Sequence, residues 1–147
     1  RQRQMCIRDR QQVKFHGRVG DQAMVEAIQR ASVSVSVPTS DATSVSVLES
    51  MACGLPIIAS DLPANRQWID ARGGWIAPVR DVDAVTQALF QAHDHPDQAR
   101  AMGAFNRDRI EREASRRGQM DRMWALYAQL LKPCSKALAA QARGGRA

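Results

Sequence analysis

Valine and serine alternate one by one along Ser32-Val33-Ser34-Val35-Ser36-Val37. That period of two, built on β-branched residues, predicts an extended strand that Pro38 ends. Upstream, Val13-Lys14-Phe15 alternates over a shorter stretch and reads as a strand. Gly17 and Gly20 punctuate the next stretch, and Asp21 is the expected cap of a helix through Arg30, with Met24, Val25, Ile28 and Ala31 as its buried stripe. Ser44 to Ala52 reads as a short helix closed by Gly54, and Pro56-Ile57-Ile58-Ala59 as a buried strand. Strand, helix and strand in so short a span make a βαβ unit, and right-handed crossover makes its strands parallel. Asn65 to Asp70 is a further short helix and Gly74-Trp75-Ile76-Ala77 a further strand. Asp81 caps a helix to about Asp94, whose core face is expected to be Val82, Val85, Ala88 and Leu89. Helices over Pro96 to Glu113 and Ser115 to Leu131 complete the pattern, ahead of Pro133. The expected fold class is α/β: a Rossmann-like parallel sheet with helices on both faces and a helical C-terminus.

The 147 residues fit one domain and are too few for the two-domain layout common among enzymes that bind nucleotides. Arg1 to Gln12 shows neither period nor turn chemistry, resembles a translated junction sequence, and is expected to be a leader outside the fold. Residues 13–131 are expected to form the domain, and 132–147, rich in Ala, Gly and Arg, a disordered tail. With 44% hydrophobic and 24% charged residues the chain has material for a core and is expected to be globular. No apolar run reaches the roughly 18 residues of a membrane span, and no secretory signal pattern opens the chain. Cys6, Cys53 and Cys134 are odd in number and widely spaced, which argues against a disulfide framework or a zinc site, so a reducing, cytoplasmic setting is expected.

The net charge of +6 is uneven: residues 1–30 carry +4, residues 31–99 carry −5 and residues 100–147 carry +7. Aromatics are only 5% and the middle is acidic, which argues against a nucleic-acid reader. The basic C-terminal third reads first as a solvated helix face, with attraction to an anionic membrane surface or partner domain as a secondary role.

The chemistry concentrates where the strand ending at Val37 passes through Pro38-Thr39-Ser40-Asp41-Ala42-Thr43 into the helix near Ser44. Ligands of doubly wound sheets bind beyond the carboxyl ends of the strands, and a helix N-terminus there offers unpaired N–H groups and about half a positive charge. Thr43, Ser44 and Val45 thus form a candidate diphosphate cradle. Glu49 lies five residues on, its Cα roughly 7.5 Å from that of Ser44 at 1.5 Å per residue, with a side chain that leans back toward the N-terminus. A carboxylate there suits two adjacent hydroxyls and would repel a phosphate. Asp41, in the preceding loop, is a second acceptor for sugar hydroxyls.

The stretch from Pro38 to Asp61 resembles the nucleotide-sugar signature of family 4 retaining glycosyltransferases of the GT-B fold, with Asp41 and Glu49 at its two acid positions and Glu49-Ser50-Met51-Ala52-Cys53-Gly54-Leu55-Pro56 in its closing run. The likeness continues through Asn65-Arg66-Gln67-Trp68-Ile69, Gly74-Trp75-Ile76-Ala77-Pro78 and the closing helices. It implies an incomplete nucleotide-sugar-binding domain over 13–131, the C-terminal, donor-binding half of such an enzyme. It also implies that Glu49 contacts the donor ribose, Asp41 the transferred sugar, and the amides of Thr43, Ser44 and Val45 the phosphates. Gly17 and Arg18 fall in the stretch that lies near the donor's base. The implied reaction is retaining glycosyl transfer from a nucleoside-diphosphate sugar, with no obligatory cofactor or metal, to a sugar, lipid-linked or other acceptor held by an N-terminal domain absent from this chain; a cytoplasmic place at the inner membrane face follows. Three positions depart from the pattern: Asp41 for the commoner glutamate, Ala42 for glycine, and Gln67 for an acid. A left-handed backbone at residue 42 would cost alanine on the order of 1 kcal/mol.

Other clusters read more plainly. Asp81-Val82-Asp83 has the spacing of a metal-binding pair but opens a helix, where capping explains both acids. His93-Asp94-His95 lacks a third partner at usable spacing. Cys53 reads as a small packed residue. Met120, Met123, Trp124 and Tyr127 form a stripe for core packing or for docking on another domain. Two rival functions stay open: a nucleotide-binding module without transfer activity, and a basic interaction module for nucleic acid or anionic lipid.

Overall fold

The computed structural model describes residues 13–144, with side chains to residue 131. Helix α1 spans Asp21–Gln29, strand β1 Ser34–Ser36, α2 Val45–Ala52, β2 Ile57–Ser60, α3 Pro63–Trp68, β3 Gly74–Ala77, α4 Val82–Asp94, α5 Pro96–Glu113 and α6 Arg116–Gly144. The three strands form one parallel sheet in the order β1-β2-β3. Ser36 pairs with Ala59 and Ser60 with Ala77, so all three carboxyl ends reach the same edge. The expected α/β class with a helical C-terminus is present.

All four residues of the central strand β2 are buried. Ile57 and Ala59 share a core with Val47 and Met51 of α2, Ile69, and Ile110 of α5, while the period of two turns Ile58 to the opposite face. Helix α4 packs on β2 and β3. Strand β1 inverts the usual preference: Ser34 Oγ donates to Ser50 Oγ of α2 across 2.9 Å, and Val35 on the other face stays 45% exposed. The outer edge of β1 has no partner among the described residues.

Helix α5 fastens the amino ends of β2 and β3. Asn106 is fully buried, and its Nδ2 donates to the carbonyls of Leu55 (2.8 Å) and Gly73 (2.7 Å), the residues leading into the two strands. A turn earlier, Gly103 lies against Gly54: a Cβ on Gly103 would sit 2.0 Å from the Gly54 carbonyl oxygen. The α2 helix ends there because Gly54 takes a left-handed φ of 80°, a conformation that glycine adopts without steric cost.

Several expectations from spacing are corrected. Val13-Lys14-Phe15 is not a strand, and Phe15 is 81% exposed. Gly20, not Asp21, occupies the cap of α1, and the helix buries no residue: Met24 and Ile28 are half-buried, Val25 and Ala31 exposed. On α4, Ala88 is buried and Val85 half-buried, but Val82 and Leu89 are exposed, since only the inner side of the helix meets the sheet. Met120, Met123, Trp124 and Tyr127 of α6 are all exposed and form no part of the core. The chain does not leave the helix at Leu131: α6 passes Pro133 and runs to Gly144, carried by a run of good helix formers in Ala137-Leu138-Ala139-Ala140-Gln141-Ala142. Residues 1–12, expected to be a leader, and 145–147 of the tail lie outside the described residues. Asp81 caps α4 as expected, its Oδ1 accepting from the Ala84 amide at 2.9 Å.

Two substitutions test the α5 fastening. Asn106→Ala leaves the Leu55 carbonyl buried without a partner and is expected to lower stability by about 2–3 kcal/mol in urea unfolding. Gly103→Ala improves helix propensity yet forces backbone apart, so a net loss of about 2 kcal/mol or more is expected; an unchanged midpoint would contradict the close approach.

Candidate functional site

The carboxyl edge of the sheet gathers the loop after β1, Asp61 after β2, and Pro78 after β3. The first two are held by a neighbouring strand. Ser60, the last residue of β2 and buried, donates from Oγ to the Pro38 carbonyl at 2.6 Å and so pins the start of the loop. Buried Asn65 of α3 donates from Nδ2 to the Ser60 carbonyl at 2.8 Å, and the Asp61 amide donates to the Ala77 carbonyl at 2.8 Å.

From Pro38 the loop leads into α2, with Ser44 at the N-cap in extended conformation. Ser44 makes no side-chain capping bond to the helix; its hydroxyl instead meets that of Ser46 at 3.0 Å. The first-turn amides are therefore left for water or a ligand. Asp41, Ala42, Thr43 and Val45 are exposed and Ser44 half-buried. The Asp41 Oδ1 accepts from the Ala42 amide at 2.8 Å, which folds that side chain over the loop. Positive φ among the described residues falls at Gly17, Gly54 and Arg80, so Ala42 does not take the left-handed conformation, and alanine there carries no such cost. Glu49 is half-buried, and its carboxylate makes no hydrogen bond or ion pair among the described residues.

The structure thus places Asp41, Thr43, Ser44, Val45 and Glu49 on one continuous loop and helix. Gly17 and Arg18 belong to a separate, exposed segment ahead of α1 that makes no hydrogen bond to that loop among the described residues. A surface hollow of about 470 Å³ lies on the first turns of α1, lined by Gly20, Asp21, Gln22, Ala23 and Glu26; its two acids suit it poorly to a diphosphate. Among the described residues no group of three His, Cys, Asp or Glu side chains gathers to hold a metal ion, and no helix is long and apolar enough to cross a membrane.

Ser60, Asn65, Asp61 and Arg66 were not singled out by sequence reasoning. Buried serine and asparagine around a strand end are a weak signal, because only their hydrogen bonds show what they hold. Asp61 is gripped by Arg66 through two guanidinium nitrogens, Nε to Oδ1 and Nη2 to Oδ2, the latter at 2.7 Å. That grip, partly opposed by desolvation, holds the Asp61 carboxyl below the ordinary aspartate value. Arg72 does the same for Asp70, with Arg109 adding to it. A depressed carboxylate contributes stability above the ordinary aspartate value and loses it as pH falls through its own lower midpoint. Carbon NMR titration is expected to put the Asp61 midpoint below that of a free aspartate, with Arg66→Gln returning it to the ordinary range; a midpoint indifferent to Arg66 would contradict the pairing.

The chain is 29% identical over 113 residues to the GDP-mannose-dependent monoacylated alpha-(1-6)-phosphatidylinositol monomannoside mannosyltransferase of Corynebacterium glutamicum, covering 71% of this chain and 29% of that protein. It is 35% identical over 95 residues to the D-rhamnosyltransferase WbpZ of Pseudomonas aeruginosa, covering 62% of this chain and 25% of that protein. The chain therefore spans less than a third of the length of these relatives. Its fold matches the sucrose-phosphate synthase of Thermosynechococcus elongatus with a TM-score of 0.73 at 26% identity, over 82% of this chain and 30% of that one. The model of the family described as glycosyl transferases group 1 matches residues 1–95, more than half of the sequence, and the chain belongs to that family.

Proposed function

We propose that these residues form the donor half of a family 4, retaining glycosyltransferase that takes a nucleoside-diphosphate sugar. The observation that carries this reading is the start of α2: a helix N-terminus without a side-chain cap at the carboxyl edge of a parallel sheet, with half-buried Glu49, unpaired among the described residues, on the same helix. Free amides and the helix dipole stabilise a diphosphate as it departs, without requiring a metal for that role. In this reading the amides of Thr43, Ser44 and Val45 hold the phosphates, Glu49 accepts from the ribose hydroxyls, and Asp41 orients the transferred sugar. Gly17 and Arg18 approach the base.

The acceptor wall belongs to a second domain outside this chain. Transfer needs the reacting atoms within about 3–3.5 Å, so the donor half binds its sugar nucleotide and does not turn over alone. The relatives named for mannosyl and rhamnosyl transfer favour a hexose donor. Synthesis of a cell-envelope polysaccharide or glycoconjugate on the cytoplasmic side of the membrane is the setting proposed.

Thermal shift of the protein extended upstream, against a panel of UDP-, GDP- and ADP-sugars, tests the reading. One donor class is expected to raise the melting temperature, by about 2.7 kcal/mol of stabilisation at a hundred times its Kd, and Glu49→Ala is expected to remove most of that shift. No shift from any donor, or a shift indifferent to Glu49, overturns the assignment.

A further inference from the structure

Beyond the loop and α2, the carboxyl edge presents one more charged group, the Asp61 carboxylate. Asp61 is the first residue past β2, and its amide is fixed to Ala77 of the neighbouring strand. Its carboxylate is paired on both oxygens with the Arg66 fork, with the Asp61 side chain one-third exposed. The residue just before it, Ser60, holds Pro38, three positions ahead of Asp41 in the loop. Asp61 and the Asp41 loop are therefore tied to one another through a single buried hydroxyl. A carboxylate gripped on both oxygens by one guanidinium keeps lone pairs on its outer side, which accept from hydroxyl groups. Because Arg66 balances its charge, the pair adds little repulsion toward a nearby diphosphate, whereas a bare carboxylate would oppose it.

We infer that Asp61 is a binding residue that accepts a hydroxyl of the donor's transferred sugar, and that Arg66 is the positioning residue that orients it. This rests on the donor-site reading above. The opposing account is an ion pair that merely braces the turn between β2 and α3. The two differ in what they recognise: a sugar contact touches the sugar and leaves the nucleotide alone, while a brace disturbs both or neither.

The experiment uses calorimetric binding to the full chain extended upstream. Its probes are the nucleoside-diphosphate sugar that most stabilises the wild-type protein in the thermal-shift panel, and the matching nucleoside diphosphate without sugar. Asp61→Asn keeps the shape and removes the charge. It is expected to weaken binding of the sugar nucleotide roughly ten-fold while leaving the sugar-free nucleotide within about two-fold. Arg66→Gln is expected to show the same split, and Arg66→Lys to recover part of the loss. Equal losses for both probes, or no loss for either, overturn the role of Asp61 while leaving the donor site standing. A folded wild-type protein that binds no member of the panel overturns the donor site and this contact together. Circular dichroism of each variant identifies one that has failed to fold, and Arg66→Lys then carries the comparison: a smaller loss that still falls on the sugar nucleotide and spares the sugar-free nucleotide supports the role, and a loss equal for both probes, or none for either, overturns it.

Discussion

Two hydrogen bonds from one buried amide fix the amino ends of β2 and β3 relative to each other. Asn106 reaches from α5 to the carbonyls of Leu55 and Gly73, one residue or two before β2 and β3 begin, and holds those strands at a common starting line. Strands of four residues extend only about 13 Å, so a common start becomes a common finish. Asp61 and Pro78 share an edge because the opposite ends of β2 and β3 are pinned, and the loop after β1 joins them through the parallel pairing of β1 with β2. The close approach of Gly103 to Gly54 supports the same arrangement by bringing α5 against the end of α2, and α2 is the helix whose other end carries the candidate cradle. The chemistry at one end of α2 and the packing at its other end are thus mechanically continuous.

The regular elements were legible where a local signal and a tertiary partner coincide. β3 begins and ends where Gly74 to Ala77 implies, α5 runs from Pro96 to Glu113, and Asp81 caps α4, because proline at a helix start, aspartate at a cap and a short apolar run each act within a few residues. Burial was less legible. Met24, Val25 and Ile28 have helical spacing, yet α1 buries none of its residues; the stripe on α6 is regular and wholly exposed. Periodicity says which side chains would share an interface and cannot say that the other surface lies within the same chain. β1 makes the point in reverse: its serines turn to α2 and its valines away, so an alternation read correctly says nothing about which face is inside.

The site shows a similar division. That Asp41, Thr43, Ser44, Val45 and Glu49 lie together follows from contiguity, since a strand, an eight-residue loop and a helix start are one piece of chain. Ser60, Asn65, Asp61 and Arg66 enter from another strand and helix, and only the parallel register makes them neighbours of Pro38. No spacing rule joins Pro38 to Ser60, because the link is a hydroxyl that must find a carbonyl across the sheet. Gly17 and Arg18, placed by resemblance alone, are not brought to the loop by any hydrogen bond among the described residues.

Among the described residues one side of β1 is uncovered, and this has a practical consequence. A strand with an unpaired edge and outward valines at 35 and 37 is a template for another strand of the same kind, and two copies meeting there would zip edge to edge. A lysine in place of Val35 would guard the edge by making such stacking electrostatically costly.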